Sequence, residues 1–437
     1  MPVIANAAAV EGKTRRIRQA RGRRRGQQPR APVAESAAYV RIAATNRTLT
    51  DVPPADAPSS PPQKARTVTV LGIVMIFSWG SSFYLPGIFH DPMGRDTGWS
   101  AALLSAGFSL GLLISGLASP RVGTLIQRHG GRRVLAAGMA LIAAGQVIMA
   151  TATSVPLYLL AWGVMGLGMG AGLYDAAFSA LGRLFGEGAR SAITALTLFG
   201  GFASTVCWPI SAFLVEGLGW RGALLAYAAF HLVVTVPLCL RGLPRAETPH
   251  DTARGTGEGG LGWLYRDARF WLVAVTGMCF ATMGTVLTQT LIPILTSQGL
   301  TLAAAVGIGT LFGPAQVAAR VIEMAGRGRH HPIWTMAVSA ALALIGMAAL
   351  RAGFAAGAAV MAFGAGNGLW SIARGSLPLA VFGAADYPRI MGRIAPLALI
   401  ASAAGPWVAG MLSAQFGPDG TLTFLTALAA LPPALAL

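Results

Sequence analysis

The sequence contains few charged residues and few cysteines. Asp, Glu, Lys and Arg make up only 11% of the chain and hydrophobic residues 54%, whereas soluble globular domains usually carry about 25% charged residues. This shortage of charge excludes an ordinary water-soluble domain. The cysteines fall inside apolar stretches without metal-ligand spacing, at Cys207, Cys239 and Cys279. That placement favours buried free thiols over disulfides or a metal site.

Two motifs of chemical function are also missing. The sequence has no phosphate-binding loop of the form G-x-x-x-x-G-K-[ST], so it offers no nucleotide site of its own. Of its histidines only His231 lies within an apolar stretch, without an evident serine or carboxylate partner. This argues against a polytopic membrane enzyme, which would need a nucleophile and base or metal ligands at matching depths. We expect no cofactor and no metal.

Long apolar stretches are what the sequence has in abundance. About a dozen of them, each of roughly 17 to 28 residues, follow Thr67, and a bilayer core takes about 20 helical residues to cross. They are continuously apolar rather than alternating, which favours helices over a transmembrane barrel. The last stops at Leu437, as a short natural helix or a truncated chain would. We predict an all-α membrane protein with twelve spans, at 67–89, 100–119, 133–152, 156–181, 192–216, 221–240, 269–296, 302–323, 333–350, 354–382, 394–415 and 421–437.

The arginines predict the orientation of these helices. If the first helix starts in the cytoplasm, fifteen loop arginines face that side, and only Arg95, Arg221 and Arg351 face the other. The positive-inside rule then places the N-terminus in the cytoplasm, and anionic lipid explains the net charge of +17 without nucleic acid. We predict a multi-pass protein of a bacterial inner (plasma) membrane.

The first 66 residues differ from the rest in composition. They hold 13 Lys or Arg against four acidic residues, with a cluster at RGRRRGQQPR, Arg21 to Arg30. This composition predicts a disordered cytoplasmic tail at 1–66. Three interpretations stay open: a misassigned start, a tether to anionic lipid, or an Arg-rich transit peptide.

The chain repeats itself at an offset of 196 residues. GAGLYDAAF (Gly170 to Phe178) in the fourth span aligns with GNGLWSIAR (Gly366 to Arg374) in the tenth. Repeats in parallel orientation imply two six-helix halves related by an axis along the membrane normal. We expect an N-terminal bundle at 67–241, a polar cytoplasmic linker at 242–268 and a C-terminal bundle at 269–437.

The turn between the second and third spans carries a motif. GTLIQRHGGRR (Gly123 to Arg133) is similar to the signature G-x-x-x-D-R-x-G-R-R, although Gln127 stands in the place of Asp. With the 6+6 pattern and the long central loop, the chain resembles the major facilitator superfamily (MFS) of secondary transporters over 67–437. The resemblance implies a monomer of two pseudo-symmetric bundles that carries a small molecule by alternating access. It also implies a cytoplasmic latch built from Gly123, Arg128, Gly130, Arg132 and Arg133.

Two ionisable residues lie deep within the spans. Asp175 and Arg374 sit about 12 and 13 Å from the cytoplasmic ends of their helices, where a charge costs at least about 2.5 to 3.5 kcal/mol. Because spans 4 and 10 are repeat equivalents, we expect the two side chains to face each other across one cavity. They either couple a proton or substrate to the transport cycle or form a static ion pair; Arg374 could instead snorkel to the interface.

Further polar and aromatic residues are candidates for the cavity. Asn367, Trp370 and Arg374 form one column of span 10, which suits an anionic or aromatic ligand. On span 4, Tyr174 belongs to an aromatic stripe that either packs or binds. In the superfamily helices 1, 4, 7 and 10 line the cleft, so the resemblance adds as substrate contacts Trp79, Tyr84 and Gln289.

Four other polar residues complete the candidates. Arg320 and Glu323 lie three residues apart near the cytoplasmic end of span 8, which allows a helical ion pair or a gate contact to a neighbouring basic loop. His231 and Gln146 are lone polar residues on apolar helices, and we interpret both as satisfied packing residues.

These observations lead to one functional prediction. The protein is expected to be a secondary active transporter that moves a small organic solute, coupled to a proton or ion gradient. Its partners would be that substrate and membrane lipid. Two alternatives stay open, namely a non-transporting sensor or scaffold that signals through the Arg-rich tail, and a polytopic membrane enzyme.

Overall fold

The computed structural model describes residues 61–245, 261–326 and 329–436, and it contains no β-strand in these ranges. Residues 1–60 of the predicted tail, residues 246–260 of the predicted linker and Arg327 lie outside the described residues, whereas residues 61–66, predicted to be disordered, form the start of the first helix. The α-helices are α1 (Pro61–Gly80), α2 (Pro86–Thr97), α3 (Ala101–His129), α4 (Gly131–Ala150), α5 (Val155–Gly172), α6 (Tyr174–Phe185), α7 (Ala189–Gly201), α8 (Ala203–Phe230), α9 (Ala268–Ser297), α10 (Leu302–Gly309), α11 (Phe312–Ala325), α12 (Pro332–Arg351), α13 (Ala356–Phe382) and α14 (Tyr387–Ala436).

The helices have the length and composition of membrane spans. Six helical stretches in the described residues are long and apolar enough to cross a bilayer. Two of them, Val155–Gly242 and Tyr387–Ala434, run for 88 and 48 residues, several times the roughly 20 residues of one crossing. The predicted all-α polytopic fold is confirmed, and the count of twelve spans stays a prediction.

Positive-φ glycines divide the longest helices. Gly219 has φ of 69° inside α8, and Gly417 has φ of 63° inside α14. A left-handed residue cannot continue a right-handed helix, and glycine adopts that conformation without steric cost. These turns lie at the predicted boundaries between spans 5 and 6 and between spans 11 and 12.

Several spans are broken where the sequence predicts a continuous helix. Span 67–89 is interrupted between Gly80 and Pro86, because Pro86 has no N–H and begins α2 at a position that needs none. In span 156–181 the extended Leu173, with φ of −94° and ψ of −167°, separates α5 from α6. Breaks of this kind are tolerated inside a bilayer only where protein or a water-filled cavity surrounds them.

The buried core falls into three clusters. One consists of residues from Leu261 to Ala429, and the other two are built mainly from residues between Val68 and Leu243. Small residues bring the helices close. A Cβ on Gly166 of α5 would lie 3.0 Å from the Gly111 backbone of α3, so these helices pack backbone to backbone. The clusters fit the two predicted halves, whose boundaries stay a prediction.

The two sets of helices meet at the end of the bundle that carries the Arg-rich loops, here called the Arg-rich end. The Gln127 side-chain amide on α3 donates to the Ala385 carbonyl at 2.7 Å, and Arg190 at the start of α7 donates to the His330 carbonyl. Toward the other end, α2 and α8 pack mainly against helices that precede residue 246, and α10 packs against α9 and α13. The bundle is therefore held closed at the Arg-rich end.

A polar staple fixes α2 at the opposite end. Asp96 on α2 accepts hydrogen bonds from the Trp220 indole at 3.1 Å and from the Arg221 guanidinium, which lies 4.1 Å over the Trp220 ring. These hydrogen bonds, that of Arg221 first, lower the pKa of Asp96 from its ordinary value of 3.8. The staple joins α2 to the second part of α8.

This staple gives a pH-dependent prediction. Because the pKa of Asp96 is depressed in the folded state, its stabilisation is present above the unfolded-state pKa and is lost as the pH falls through the folded-state value. We expect Asp96→Asn to lower the melting temperature of the purified protein at pH 7, and the difference to fade below about pH 4. Asp91→Asn, at an exposed carboxylate on the same helix, is the matched control. Equal losses in both variants, or a loss independent of pH, would contradict the assignment.

Candidate functional site

An ion pair joins the two deep charges. Arg374, in the middle of α13, donates from Nη2 to Oδ1 of Asp175, and the two side chains are only 23% and 16% exposed. Asp175 lies in the first turn of α6, directly after the break at Leu173. The structure thus brings the Asp175 and Arg374 side chains together from opposite sides of the bundle, on the two spans that the internal repeat makes equivalent.

A third helix, α14, packs beside this ion pair. The Tyr387 hydroxyl at the start of α14 donates to the Gly375 carbonyl at 2.7 Å, and the Tyr387 ring packs against Gly182 of α6. A small cavity borders Asp175 on its other side, between α3, α5, α6 and α14, lined by Ser119, Val122, Gly123, Gly170, Ala176, Ser179 and Gly392. The Asp175 carboxylate therefore lies where helices before residue 246 meet helices after residue 260.

A buried arginine on α11 has no carboxylate partner among the described residues. Arg320 on α11 is 5% exposed, and it donates to the Thr197 carbonyl at 3.0 Å, the Gln316 side-chain oxygen at 3.0 Å and the Gly368 carbonyl at 3.4 Å. The structure does not bring it to Glu323, its neighbour three residues on. A buried cation held only by neutral acceptors is costly in a membrane, and such residues mark functional sites.

Two adjacent glycines make room for this arrangement. A Cβ on Gly201, at the end of α7, would overlap the Arg320 guanidinium, and one on Gly200 would overlap the Tyr174 hydroxyl. Tyr174 donates to the Thr197 carbonyl at 3.2 Å, and Arg320 uses the same oxygen. Tyr174 and Arg320 consequently share one hydrogen-bond acceptor, the Thr197 carbonyl oxygen of α7.

Aromatic rings continue from Tyr174 toward the end opposite the arginine loops. The Trp79 ring lies 5.0 Å from Tyr174 and 6.2 Å from Tyr84, and Tyr84 lies 6.1 Å from Trp208. We call Trp79, Tyr84, Tyr174 and Trp208 the aromatic wall. The Trp79 indole N–H is buried and has no acceptor among the described residues. Three predicted cavity residues are therefore neighbours, and one of them holds an unused donor.

The remaining cavity candidates lie elsewhere. Trp370 stacks on Phe280 at 5.3 Å and belongs to the core cluster that begins at Leu261. Asn367, one turn before Trp370 on α13, is half-buried. Gln289 lies in α9, and its side chain is outside the described residues. The predicted column of span 10 thus contributes Arg374 to the ion pair, whereas Trp370 packs in the core.

The latch motif lies at the junction of α3, α6 and α14. Gly123 faces the Pro388 carbonyl, where a Cβ would also lie 3.2 Å from the Gly392 Cα, and Gly130 ends α3 with φ of 78°. The Gln127 carbonyl accepts a hydrogen bond from Arg183, while the Gln127 side chain donates to the Ala385 carbonyl in the turn between α13 and α14. Arg128 and Arg133 are exposed and Arg132 is half-buried. A neutral residue therefore forms contacts of this turn at the position where the superfamily motif has Asp.

Glu323 forms a second contact across the Arg-rich end. Its Oε1 accepts from the Thr335 hydroxyl at 2.8 Å and lies 3.1 Å from His330 Nε2 and 3.8 Å from Arg190 Nη2. The Glu323 carboxylate is 11% exposed. The sequence placed this residue at the correct end of span 8, but its partners come from α7 and from the turn before α12, which spacing along one helix cannot indicate.

Comparison with known proteins finds relatives that match part of the chain. The chain is 34% identical over 164 residues to "Monocarboxylate transporter 11" of Mus musculus, covering 35% of this chain and 34% of that protein. The chain spans less than half the length of the curated relatives it matches. These alignments cover too little of either protein to transfer an activity.

Solved structures share the fold. The transporter FucP of E. coli in its outward conformation is 17% identical, with 84% of this chain and 97% of that chain covered and a TM-score of 0.64. The human organic anion transporter MFSD10 is also 17% identical, with 86% and 100% covered and a TM-score of 0.66. Residues 70–382 match the model of the Major Facilitator Superfamily. The resemblance is confirmed, and the chain belongs to the Major Facilitator Superfamily, as an integral multi-pass membrane transporter rather than an enzyme.

Proposed function

We propose that the protein is a secondary active transporter that moves a small organic anion by alternating access. The observation that carries this proposal is Arg320, a buried cation whose hydrogen-bond acceptors among the described residues are all neutral oxygens. A planar guanidinium matches a carboxylate in a two-pronged geometry. The names of the mouse monocarboxylate transporter and of the human organic anion transporter agree with this class of substrate.

The contacts of Arg320 suit a reversible anion site. Its hydrogen bonds to carbonyl and amide oxygens satisfy the donors without neutralising the charge. An incoming carboxylate would accept from the same donors and add the charge attraction that those oxygens lack. A substrate carboxylate would therefore bind most favourably at Arg320, whose positive charge these neutral oxygens do not compensate.

The aromatic wall suits the remainder of the substrate. Trp79, Tyr84 and Tyr174 form a largely apolar surface next to Arg320, which shares the Thr197 carbonyl with Tyr174. The Trp79 indole N–H supplies one further donor. An apolar or aromatic body with a single carboxylate fits these three features.

The ion pair supplies a means of coupling. In the structure Asp175 holds Arg374 across the closed Arg-rich end. Protonation of Asp175 would remove the negative charge that attracts Arg374 and so weaken one of the contacts that keep this end closed. In this proposal the predicted bundles 67–241 and 269–437 rock about Arg320, and the proton bound at Asp175 sets which end is open.

Removal of the Arg320 charge tests the substrate class. We expect Arg320→Gln to reduce uptake of radiolabelled pyruvate and benzoate into proteoliposomes by about 10- to 100-fold, since a hydrogen bond to a charged group contributes about 1.5 to 3 kcal/mol. Arg320→Lys keeps the charge but loses the two-pronged guanidinium geometry, so its uptake rate should lie between those of the wild type and Arg320→Gln. Arg351→Gln is the control, because Arg351 contacts Thr423 at the opposite end.

A panel of solutes separates the classes of function. The wild-type protein should exchange carboxylates and leave neutral fucose outside the vesicles. Carboxylate uptake that persists in Arg320→Gln, or fucose uptake without carboxylate uptake, would overturn the anion proposal. Absence of flux for every solute, with binding still detectable, would support the sensor interpretation instead.

The coupling role of Asp175 has its own prediction. Asp175→Asn mimics the protonated carboxyl, so we expect it to abolish accumulation of pyruvate driven by a pH gradient while exchange of internal for external pyruvate continues. Asp386→Asn is the matched control, because Asp386 also pairs with an arginine, Arg389, but within one helical turn. Gradient-driven accumulation that survives in Asp175→Asn would show that the proton binds elsewhere.

A further inference from the structure

A cluster of polar side chains lies buried beside the break between α1 and α2. His231 Nε2 is 2.7 Å from the Ser81 hydroxyl, His231 Nδ1 is 2.9 Å from the Thr235 hydroxyl, and the Gln146 side-chain amide donates to the Ser81 carbonyl at 3.0 Å. All four residues are fully buried. We call Ser81, Gln146, His231 and Thr235 the break cluster. It joins the break to α4 and to the segment that follows α8.

The hydrogen bonds assign the proton on the His231 ring. The Thr235 hydroxyl donates to the His231 carbonyl at 3.1 Å, so the same hydroxyl oxygen accepts from Nδ1–H. Nε2 is then the acceptor, and the Ser81 hydroxyl donates to it. Both nitrogens of the neutral ring are hydrogen-bonded, and Nε2 fixes the direction of the Ser81 hydroxyl.

The backbone that carries His231 is unusual. Residues His231–Thr235 form one turn of π-helix directly after α8. Such wide turns are rare, and they occur frequently at functional sites. The Val236 N–H closes the turn by donating to the His231 carbonyl, and the Thr235 hydroxyl contacts both the ring and the carbonyl of His231.

Ser82 shows what Ser81 would do without the histidine. The Ser82 hydroxyl, in the same break, donates to the Ser78 carbonyl in the last turn of α1 at 2.5 Å. A buried serine without another acceptor takes this route. The Ser81 hydroxyl is directed to His231 instead, and the Ser81 carbonyl is taken by Gln146, so both of these groups have partners outside α1 at the break that precedes Pro86.

We propose that His231 is a positioning residue that fixes the break after Gly80 through the Ser81 hydroxyl, and thereby fixes Trp79 and Tyr84 in the aromatic wall. The Tyr84 N–H donates to the Trp79 carbonyl at 3.0 Å across the break, so the two rings move with the same turn. The role assigned to the wall rests on the proposed function, whereas the link from His231 to the break does not.

Cys207 provides a readout that needs no substrate. Gly80 packs directly against the Cys207 side chain, and the thiol lies 3.5 Å from the Ile76 carbonyl of α1. Cys207 is fully buried, and so is Cys279 in α9. A break that opens more often would expose Cys207 to a thiol reagent, while Cys279 reports on general loosening of the fold.

The experiment measures alkylation of each cysteine by N-ethylmaleimide in membrane vesicles, by mass spectrometry. We expect His231→Leu to accelerate alkylation of Cys207 about tenfold relative to Cys279, the effect of losing one buried hydrogen bond. His231→Gln, which keeps a side-chain acceptor for the Ser81 hydroxyl, should restore most of the protection. Ser339→Ala is the matched control, because Ser339 is also a buried serine that bonds between helices, to the Gly366 carbonyl, far from the break.

A double variant tests the route through Ser81. Ser81→Ala should accelerate Cys207 alkylation, and adding His231→Leu to it should produce little further change, because both remove the same hydrogen bond. In transport, His231→Leu should raise KM for pyruvate about tenfold with kcat retained, as expected when binding contacts are displaced but the transport steps are intact.

Several results would overturn the proposal. These are unchanged Cys207 alkylation in His231→Leu, equal acceleration at Cys207 and Cys279, and additive effects of the two substitutions. A failure of the carboxylate assays with normal Cys207 behaviour would instead count against the proposed substrate class, so the two failures can be told apart.

Discussion

The structure depends on one constraint: inside a bilayer, a polar group that the protein exposes must find its partner within the protein. Wherever a span breaks, backbone donors and acceptors lose their helical partners. At the break after Gly80 the partners come from Gln146 and His231, and near the junction between α7 and α8 the Thr197 carbonyl is shared by Tyr174 and Arg320. Polar side chains that look isolated along the sequence are therefore concentrated at the breaks.

Arg374 and Arg320 meet this constraint with different kinds of partner. Arg374 is neutralised by Asp175, so its charge is satisfied while the Arg-rich end stays closed. Arg320 keeps its charge uncompensated among carbonyl and amide oxygens. A pair can be opened by a proton, and an uncompensated cation can be satisfied by an anion. In the proposed function, an arginine thus suits the coupling step at position 374 and the binding step at position 320.

The sequence was informative where a property belongs to one helix or to the repeat. Apolar length predicted the membrane helices, and the repeat predicted that Asp175 and Arg374 lie opposite each other, as they do. It was uninformative where partners come from different helices. Gln146 and His231 looked like lone packing residues, yet they meet at Ser81. Arg320 and Glu323 allowed a helical pair or a gate contact, and Arg320 instead donates to the Thr197 carbonyl at 3.0 Å. Spacing of three residues brings side chains to one face of a helix and does not decide which neighbour they choose.

The breaks also explain how the closed end and the aromatic wall can communicate. Tyr174 and Asp175 are consecutive residues after the break at Leu173; the first contacts the wall and Thr197, and the second holds Arg374. A shift of α6 that releases Arg374 must therefore move the ring that borders Arg320. Gly200 and Gly201 let the Tyr174 hydroxyl and the Arg320 guanidinium pack directly against α7. In the proposed function, binding of an anion and opening of the Arg-rich end are in this way linked through one short helix.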